Sequence, residues 1–386
     1  MKRRYLDYAA TTPVKKEVLE SMMPYFSEVY GNASSLHTFG QNAKEKLTES
    51  REIVANTVGA KTNEIYFTSG GSESDNWAIK SIAKLNRDKG NHIITSKIEH
   101  HAVLHTCETL EKEGFEVTYL DVDEEGYVEL DVLKDAIRED TILITIMFIN
   151  NEIGTIQPIK EIGAIARENN ILFHTDAVQA LGNVSIDVEE LNIDLMSVTA
   201  HKIYGPKGIG ALYVKRGVKI IPFIDGGAQE RKKRAGTENI PSIVGFAKAC
   251  QLAEEDLEEH VEKLSKLRDE LIEKILGSID EVKLNGPRDN RHPGNVNVAF
   301  KYIEGEALLL MLDAVGIAAS SGSACTTGAL EPSHVLMSIG LGHEIAHGSL
   351  RLTIGDFTEP EDIDFIVENL VRIVKTLRAM SPLYNA

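Results

Sequence analysis

The chain has 386 residues, a formal net charge of −18 and 42% hydrophobic residues, and this length predicts roughly two or three domains of about 150 residues each. The absence of a long basic run argues against direct binding of nucleic acid, because phosphate binding needs clustered Lys and Arg. No apolar run approaches the roughly 20 residues that a membrane span requires.

Short apolar runs alternate with amphipathic segments in the first two thirds of the chain. Strands are predicted at residues 65–67, 92–95, 117–120, 142–149, 171–174, 195–199 and 210–214. Helices are predicted between several of them, at residues 74–87, 101–113, 130–138 and 159–169. This alternation predicts a mostly parallel sheet with helices on both faces, the pattern of an α/β protein.

The remainder of the chain has a different pattern. Apolar residues at three- and four-residue steps predict one long helix at residues 243–276. A strand at 295–300, a helix at 303–314, a strand-like run at 317–320 and a final helix at 361–378 follow. They predict a smaller α+β domain. We therefore expect a large domain at residues 13–261 and a small domain formed by residues 1–12 and 262–386.

The first predicted strand leads into a glycine-rich turn, Ser69-Gly70-Gly71-Ser72, before a helix. Glycines let the backbone approach a ligand closely, and the free N–H groups of a helix start favour a phosphate. A plain strand–helix turn with a serine cap would show the same pattern. This turn alone therefore does not establish a phosphate site, and it predicts one only together with other cofactor-binding motifs in the chain.

Two later strands end in residues suited to pyridoxal phosphate. Asp176 could keep a pyridinium nitrogen protonated, and Gln179 could donate to the ring oxygen, although an ordinary buried Asp remains an alternative. Lys202 follows the next strand and could form an imine with an aldehyde, while Thr199 and His201 could hold the phosphate. These parts in this order predict a pyridoxal-phosphate site.

The three cysteines fall into two kinds. Cys107 and Cys250 lie on amphipathic helical stripes and are predicted to pack in cores. Cys325 lies in a run of Gly, Ser and Ala that gives the backbone freedom, which favours a reactive thiol on a loop at about residues 320–333. So few cysteines argue against a disulfide framework. Together with an N-terminus unlike a signal peptide, they predict a cytoplasmic protein.

With these residues in place, the chain resembles the NifS/IscS-type cysteine desulfurases over nearly its whole length. The shared runs include Tyr5 to Pro13, Gly31 to His37, Glu99 to Val103, Asn150 to Gly154, Asp176 to Gln179, His201-Lys202, Arg234 to Asn239 and the run around Cys325. The resemblance implies the fold type I of pyridoxal-phosphate enzymes, like that of aspartate aminotransferase. That fold has a large domain with a mixed, mostly parallel sheet and a smaller α+β domain, to which the N-terminal segment returns.

The resemblance also implies roles for individual residues. Catalysis would involve Lys202, Cys325 and His100, with His100 stacked on the cofactor ring. The cofactor would be held by Gly71, Ser72, Asn151, Asp176, Gln179, Thr199 and His201, and across a homodimer interface by Thr237. The substrate would be bound by Arg351, Asn151 and Asn32. No resident metal is expected, although Cys325 could ligate a transferred iron–sulfur cluster.

The implied reaction converts L-cysteine to L-alanine and leaves sulfur on Cys325 as a persulfide. An iron–sulfur scaffold protein or another sulfur acceptor, such as a tRNA-thiolation protein, would then receive it. A selenocysteine lyase, or another aminotransferase or lyase on the same fold, is an alternative, and a non-catalytic scaffold is a further one. The basic run from Arg231 to Arg234 could touch a cofactor phosphate of the other subunit or an acidic partner, or could form a solvated loop.

Overall fold

The computed structural model describes residues 2–321, 332–382 and 384. Its strands, in chain order, are β1 (Arg4–Tyr5), β2 (Ile65–Thr68), β3 (His92–Ser96), β4 (Glu116–Leu120), β5 (Thr141–Thr145), β6 (Leu172–Asp176), β7 (Leu195–Thr199), β8 (Gly210–Val214), β9 (Val282–Leu284), β10 (Asn295–Phe300), β11 (Ile317–Ala318) and β12 (Ser349–Thr353).

Its helices are α1 (Lys16–Met22), α2 (Pro24–Ser27), α3 (Thr38–Asn56), α4 (Gly71–Leu85), α5 (His101–Lys112), α6 (Leu130–Ala136), α7 (Ile159–Glu168), α8 (Gln229–Lys232), α9 (Ile240–Glu255), α10 (Leu257–Ser278), α11 (Gly305–Ala314), α12 (His334–Ser338), α13 (His343–His347) and α14 (Pro360–Met380). Two short 3₁₀ turns cover Thr62–Glu64 and Ala200–Lys202. None of the helices in these described ranges is long and apolar enough to cross a bilayer.

A seven-stranded sheet in the order β2-β8-β7-β6-β5-β3-β4 forms the centre of the fold. β8 runs antiparallel to both of its neighbours, and the other pairs are parallel. The predicted mixed, mostly parallel sheet is therefore confirmed. Most of its strands are buried on both faces because helices cover both sides, and the core includes Trp77 from α4 and Phe173 from β6.

A second core surrounds a three-stranded antiparallel sheet in the order β12-β10-β9. Side chains of α10, α11 and α14 pack on it, and Leu6 from the N-terminal segment joins them. β1 pairs in parallel with β11, so the first residues of the chain lie beside this second core. The exact bounds of the two predicted domains stay a prediction.

Two predicted elements differ most in extent from the structure. The single long helix predicted at 243–276 is wrong: the chain forms α9 and α10, which break at Asp256 (φ −102°, ψ 3°). Cys250 on α9 packs in the first core and Leu264 on α10 in the second, so the apolar stripe continues while the chain changes core. The strand predicted to reach Ile149 ends at Thr145, because the residues beyond it stay buried but leave the sheet.

Candidate active site

A cavity of about 450 Å³ opens at the carboxyl ends of the central strands. Ligands of α/β sheets bind at this edge, where loops from several strands converge. The cavity is lined by ten of the residues predicted from the sequence, namely Gly71, Ser72, His100, Asn151, Asp176, Gln179, Thr199, His201, Lys202 and Arg351. Nine of them come from the central sheet and its loops, and Arg351 comes from β12.

The start of α4 forms an open cradle at one side of this cavity. Gly70 has a φ of 151°, a conformation that L side chains rarely adopt. A Cβ atom on Gly71 would lie 2.6 Å from Val178 Cγ2, so glycine fits this position best. The hydroxyl of Thr199 borders the same cradle, since it lies 3.7 Å from the position that a Cβ atom on Gly70 would occupy. Helix N–H groups and hydroxyls at this point suit a phosphate.

Asp176 ends β6 and is buried at the floor of the cavity. Burial raises the pKa of its carboxyl to about 6, while the N–H of Val178, 2.9 Å from Oδ1, and the charge of Lys202 act in the opposite direction. A buried carboxylate of this kind can pair with a pyridinium nitrogen. Gln179 also faces the cavity, and its Nε2 donates to the carbonyl of Ala9 at 3.0 Å.

Lys202 follows β7 in the short turn that begins at Ala200. Its Nζ donates to the carbonyl of Ala10 at 2.8 Å and also to that of Ala9. Thr12 fixes the same N-terminal segment by donating to the carbonyl of His201. The first residues of the chain thus hold the amine in the cavity, a role that their sequence motif does not reveal.

His100 caps the first turn of α5, where its Nδ1 accepts from the N–H of Ala102 at 3.1 Å. Burial, together with the positive charge of Lys202, lowers the pKa of His100 to about 4. The ring is therefore neutral at pH 7. A neutral, flat imidazole on the wall of the cavity suits stacking on an aromatic cofactor.

Arg351 is almost fully buried, with 2% of its surface exposed. Its Nη1 donates to the carbonyl of Asn151 and its Nη2 to Asp7 Oδ1, both at 3.0 Å, while Nε has no partner among the described residues. A guanidinium held in this way can present donors to a substrate carboxylate. Asp7 is a further group that the sequence alone did not reveal.

Two predicted site residues, Asn32 and Thr237, do not line this cavity. Cys325 lies outside the described residues. Asn32 is exposed on the surface, where its Oδ1 accepts from the N–H of Ser34 at 2.9 Å. Thr237 lines a different cavity of about 160 Å³, together with Ser69. The roles assigned to these residues stay predictions.

Thr237 follows the short turn labelled α8, which is not a regular α-helix because its backbone is left-handed. Glu230, Arg231 and Lys232 have consecutive positive φ angles of 43°, 57° and 65°. The carboxylate of Glu230 is buried against Arg51, with oxygen–nitrogen distances of 2.6 and 2.7 Å, and this pair anchors the turn. Within the basic run, Arg231 lies over the ring of Tyr66 and Arg234 pairs with Glu73, so these two side chains are engaged inside the chain.

The fold and the site define an enzyme built around an aldehyde cofactor. Residues 4–366 match the family model described as Aminotransferase class-V, and the chain belongs to this family. Its relatives include the cysteine desulfurases IscS of Clostridium botulinum and of Methanosarcina thermophila. The first is 60% identical over 386 residues, covering 100% of this chain and 97% of the relative. The second is 61% identical over 379 residues, covering 98% and 94%.

Solved structures are similar over the same extent. A NifS-like protein superimposes with a TM-score of 0.92 at 38% identity, covering 97% of this chain and 100% of that one. A structure described as SspA in complex with cysteine has a TM-score of 0.82 at 40% identity, covering 93% and 100%. These similarities confirm the predicted resemblance, the fold type I class and pyridoxal phosphate as the cofactor of the family.

The cavity fits this cofactor on its own geometry. It has an open helix start for a phosphate, a lysine amine held at its wall and a buried carboxylate at its floor. Four residues that line it carry a buried polar atom without a partner among the described residues, namely Asp75 Oδ1, Glu99 Oε2, His101 Nδ1 and Arg351 Nε. Unpaired buried polar groups are rare in proteins, and their presence here is typical of a site built for a ligand.

Proposed function

We propose that this chain is a pyridoxal-phosphate-dependent cysteine desulfurase that converts L-cysteine to L-alanine and passes sulfur to Cys325 as a persulfide. The observation that carries the proposal is the convergence of Lys202, Asp176 and Arg351 on one cavity in a chain of this family. Relatives that match nearly the whole chain are named cysteine desulfurases. These names favour this reaction over that of a selenocysteine lyase or another aminotransferase, and over a scaffold without activity.

Substrate binding would depend on Arg351. Its buried guanidinium would hold the carboxylate of cysteine, with Asn151 beside it. Bound pyridoxal phosphate supplies an aldehyde that condenses with an amino group and a ring that accepts electrons from the substrate. Asp176 would keep the ring nitrogen protonated, while Gly71, Ser72, Thr199 and His201 would hold the phosphate.

Proton transfer would depend on Lys202. With cysteine bound, Nζ would take the proton from Cα of the substrate. The neutral ring of His100 would stack on the cofactor and exclude water from its face. The carbonyls of Ala9 and Ala10, which accept from Nζ, keep the amine within reach of the cavity.

Sulfur transfer would depend on Cys325 as a thiolate. Its sulfur would form an S–S bond with the substrate sulfur while the Cβ–S bond breaks. The electron pair of the broken bond would stay on carbon and take up a proton, which gives alanine. The net change is cysteine and one thiol to alanine and one persulfide.

We further propose that the enzyme acts in the cytoplasm as a homodimer with composite sites. Thr237 lies apart from the cavity of Lys202 within its own chain, so it is available to a second chain. The segment from α1 to the start of α3 exposes large apolar side chains, namely Leu19, Met23, Phe26, Tyr30, Leu36 and Phe39. Exposed apolar patches of this kind mark protein interfaces, and α1 and α3 pack on α9, which begins just after Thr237.

The persulfide would go to an iron–sulfur scaffold protein or another sulfur acceptor. The basic test is an absorbance spectrum of the purified protein before and after L-cysteine and a thiol reductant, with alanine and sulfide measured together. Equal amounts of both products are expected. A cofactor band without sulfide would instead indicate an aminotransferase or a lyase for another substrate, and sedimentation analysis would test the dimer.

A further inference from the structure

Glu152 is a buried carboxyl group at the wall of the cavity, and none of the proposed roles uses it. It has 4% of its surface exposed and directly follows Asn151, whose carbonyl accepts from Arg351. Its Oε2 accepts a hydrogen bond from Ser333 Oγ at 2.5 Å. A buried carboxylate is costly unless a donor satisfies it, and the hydroxyl of Ser333 is the side-chain donor that the described residues provide.

The backbone of Glu152 is held in place from two sides. Its N–H donates to Asn150 Oδ1 at 2.9 Å. Its carbonyl accepts from the side-chain amides of Asn295 and Asn297 on β10, both at 3.0 Å. All of these groups are buried. The carboxylate of Glu152 therefore projects from a backbone that is fixed to both the cavity loop and the second sheet.

Ser333 uses its hydroxyl group in two directions. Its Oγ accepts from the N–H groups of Val335 and Leu336 at 3.1 and 3.3 Å, so it caps the N-terminus of α12. A cap needs only the lone pairs of the oxygen, which leaves the hydroxyl proton for Glu152. The bond to Glu152 thus ties the start of α12 to the wall of the cavity.

The residues that follow Ser333 dock on the same wall. His334 lines the cavity and donates through Nε2 to the carbonyl of Glu99 at 3.0 Å. The next two side chains of α12 are fully buried in an apolar cluster that includes Ile98 and Met147. The start of α12 therefore has a defined place beside the cavity.

The chain before Cys325 is joined to the same site at Ser320. The N–H of Ser320 donates to the carbonyl of Arg351 at 3.2 Å, and the N–H of Arg351 donates back at 2.7 Å. Cys325 lies five residues after Ser320 and eight residues before Ser333. Burial raises the pKa of Glu152 to about 7, while the hydroxyl of Ser333 and the charge of Arg351 act in the opposite direction. Both partners thus favour the ionised carboxylate that accepts from Ser333.

Building on the proposed function, we propose that Glu152 is a positioning residue that acts through Ser333 to fix the end of the segment that carries Cys325. A thiol whose chain is fixed beside the bound substrate has a smaller volume to search, which raises its effective concentration at the substrate sulfur. Loss of this anchor should slow formation of the S–S bond. It should not weaken binding of the substrate carboxylate, which depends on Arg351.

The test follows persulfide on Cys325 by mass spectrometry, at intervals after the holoenzyme is mixed with L-cysteine without a reductant. Glu152→Ala removes the carboxylate and keeps the cap of α12, whereas Ser333→Ala removes the hydroxyl that joins the two. Each should slow persulfide formation about 10-fold, the lower end of the factor for a lost hydrogen bond to a charged group. The double variant should be no slower than either single variant, because Glu152 acts through Ser333.

Three comparisons separate this role from general damage to the site. L-alanine, followed through the change it causes in cofactor absorbance, should bind no more weakly to E152A or S333A than to wild type. Ser333→Thr keeps the hydroxyl and should form persulfide at the wild-type rate. Ser338→Ala is the matched control, because Ser338 is a hydroxyl of the same helix that donates to the carbonyl of His334 at 2.7 Å and does not line the cavity. Its rate should also equal that of wild type.

Persulfide formation at the wild-type rate in E152A or S333A would overturn the inference. So would a double variant slowed by the product of the two single effects, because the two residues would then act independently. Equal losses of L-alanine binding and of persulfide formation, or a slow S333T or S338A, would show a merely structural effect and also overturn it. The serine variants decide the matter even when E152A does not fold. Failure of the proposed function is distinguishable, because wild type itself would then form no persulfide on Cys325.

Discussion

Replacement of Arg351 by lysine tests the proposed clamp on the substrate carboxylate. The guanidinium is held by Asn151 and Asp7 at 3.0 Å each, so its remaining donors are fixed in direction before substrate arrives. Lysine keeps the charge but presents a compact ammonium that cannot form two parallel bonds to a carboxylate. The loss of one hydrogen bond between charged groups amounts to about 1.5–3 kcal/mol. KM for cysteine should therefore rise about 10- to 100-fold in R351K.

KM reports binding only when chemistry is slow relative to dissociation. The dissociation constant of L-alanine, followed through the change it causes in cofactor absorbance, gives an independent value. It should rise by a similar factor, because alanine carries the same carboxylate without sulfur. Cofactor absorbance in the absence of amino acid should not change.

Arg378→Lys is the matched control for this experiment. Arg378 is also buried, it donates to the carbonyls of Lys301 and Glu281, and it does not line the cavity. R378K should lose stability without a change in KM. If R351K binds cysteine and alanine as tightly as wild type does, the carboxylate is held elsewhere and the assignment of Arg351 is wrong.

The other predictions concern cofactor, sulfur, stability and pH. Lys202→Ala should lose the cofactor absorbance band, whereas Cys325→Ser should keep the band and release no sulfide; sulfide from the serine variant would contradict the persulfide step. Glu230→Gln should lower the free energy of unfolding in urea by about 3–5 kcal/mol, because it leaves the charge of Arg51 buried without a counter-ion. An unchanged urea midpoint would show that the pair does not anchor its turn. The pKa of His174 is lowered from 6.5 to about 3 by burial, so the unfolded chain binds the extra proton in acid. The wild type should therefore lose stability relative to His174→Gln as the pH falls below about 6.5, by up to about 1.4 kcal/mol per pH unit. A difference that does not vary with pH would mean that the ring is not held neutral.

The central sheet and most of the cavity were accessible from sequence because their signals are local. Strands such as β6 and β7 are short apolar runs, and Asp176 and Lys202 stand directly at their ends. Once the strands are parallel and adjacent, such residues must meet at one edge. The phosphate cradle follows in the same way from the glycines before α4.

What the sequence did not reveal depends on contacts between distant parts of the chain. Asp7 accepts a hydrogen bond from Arg351, 344 positions away in the sequence, and no periodic pattern predicts this contact. Asp75 has the pattern of an ordinary polar residue near a helix start, and only the packing of α4 on β6 and β7 shows that it is enclosed. The break at Asp256 was missed because the apolar stripe of α9 continues into α10 while the core it faces changes.

The location of Thr237 in a cavity apart from that of Lys202 matters for how defects in this protein would be inherited. In the proposed homodimer, each catalytic centre takes Lys202 from one chain and Thr237 from the other. A chain damaged at Lys202 and a chain damaged at Thr237 would then assemble into a dimer with one intact centre and one centre that carries both defects. A cell with both alleles would retain activity that neither allele provides alone. The two lesions would complement each other within a single gene.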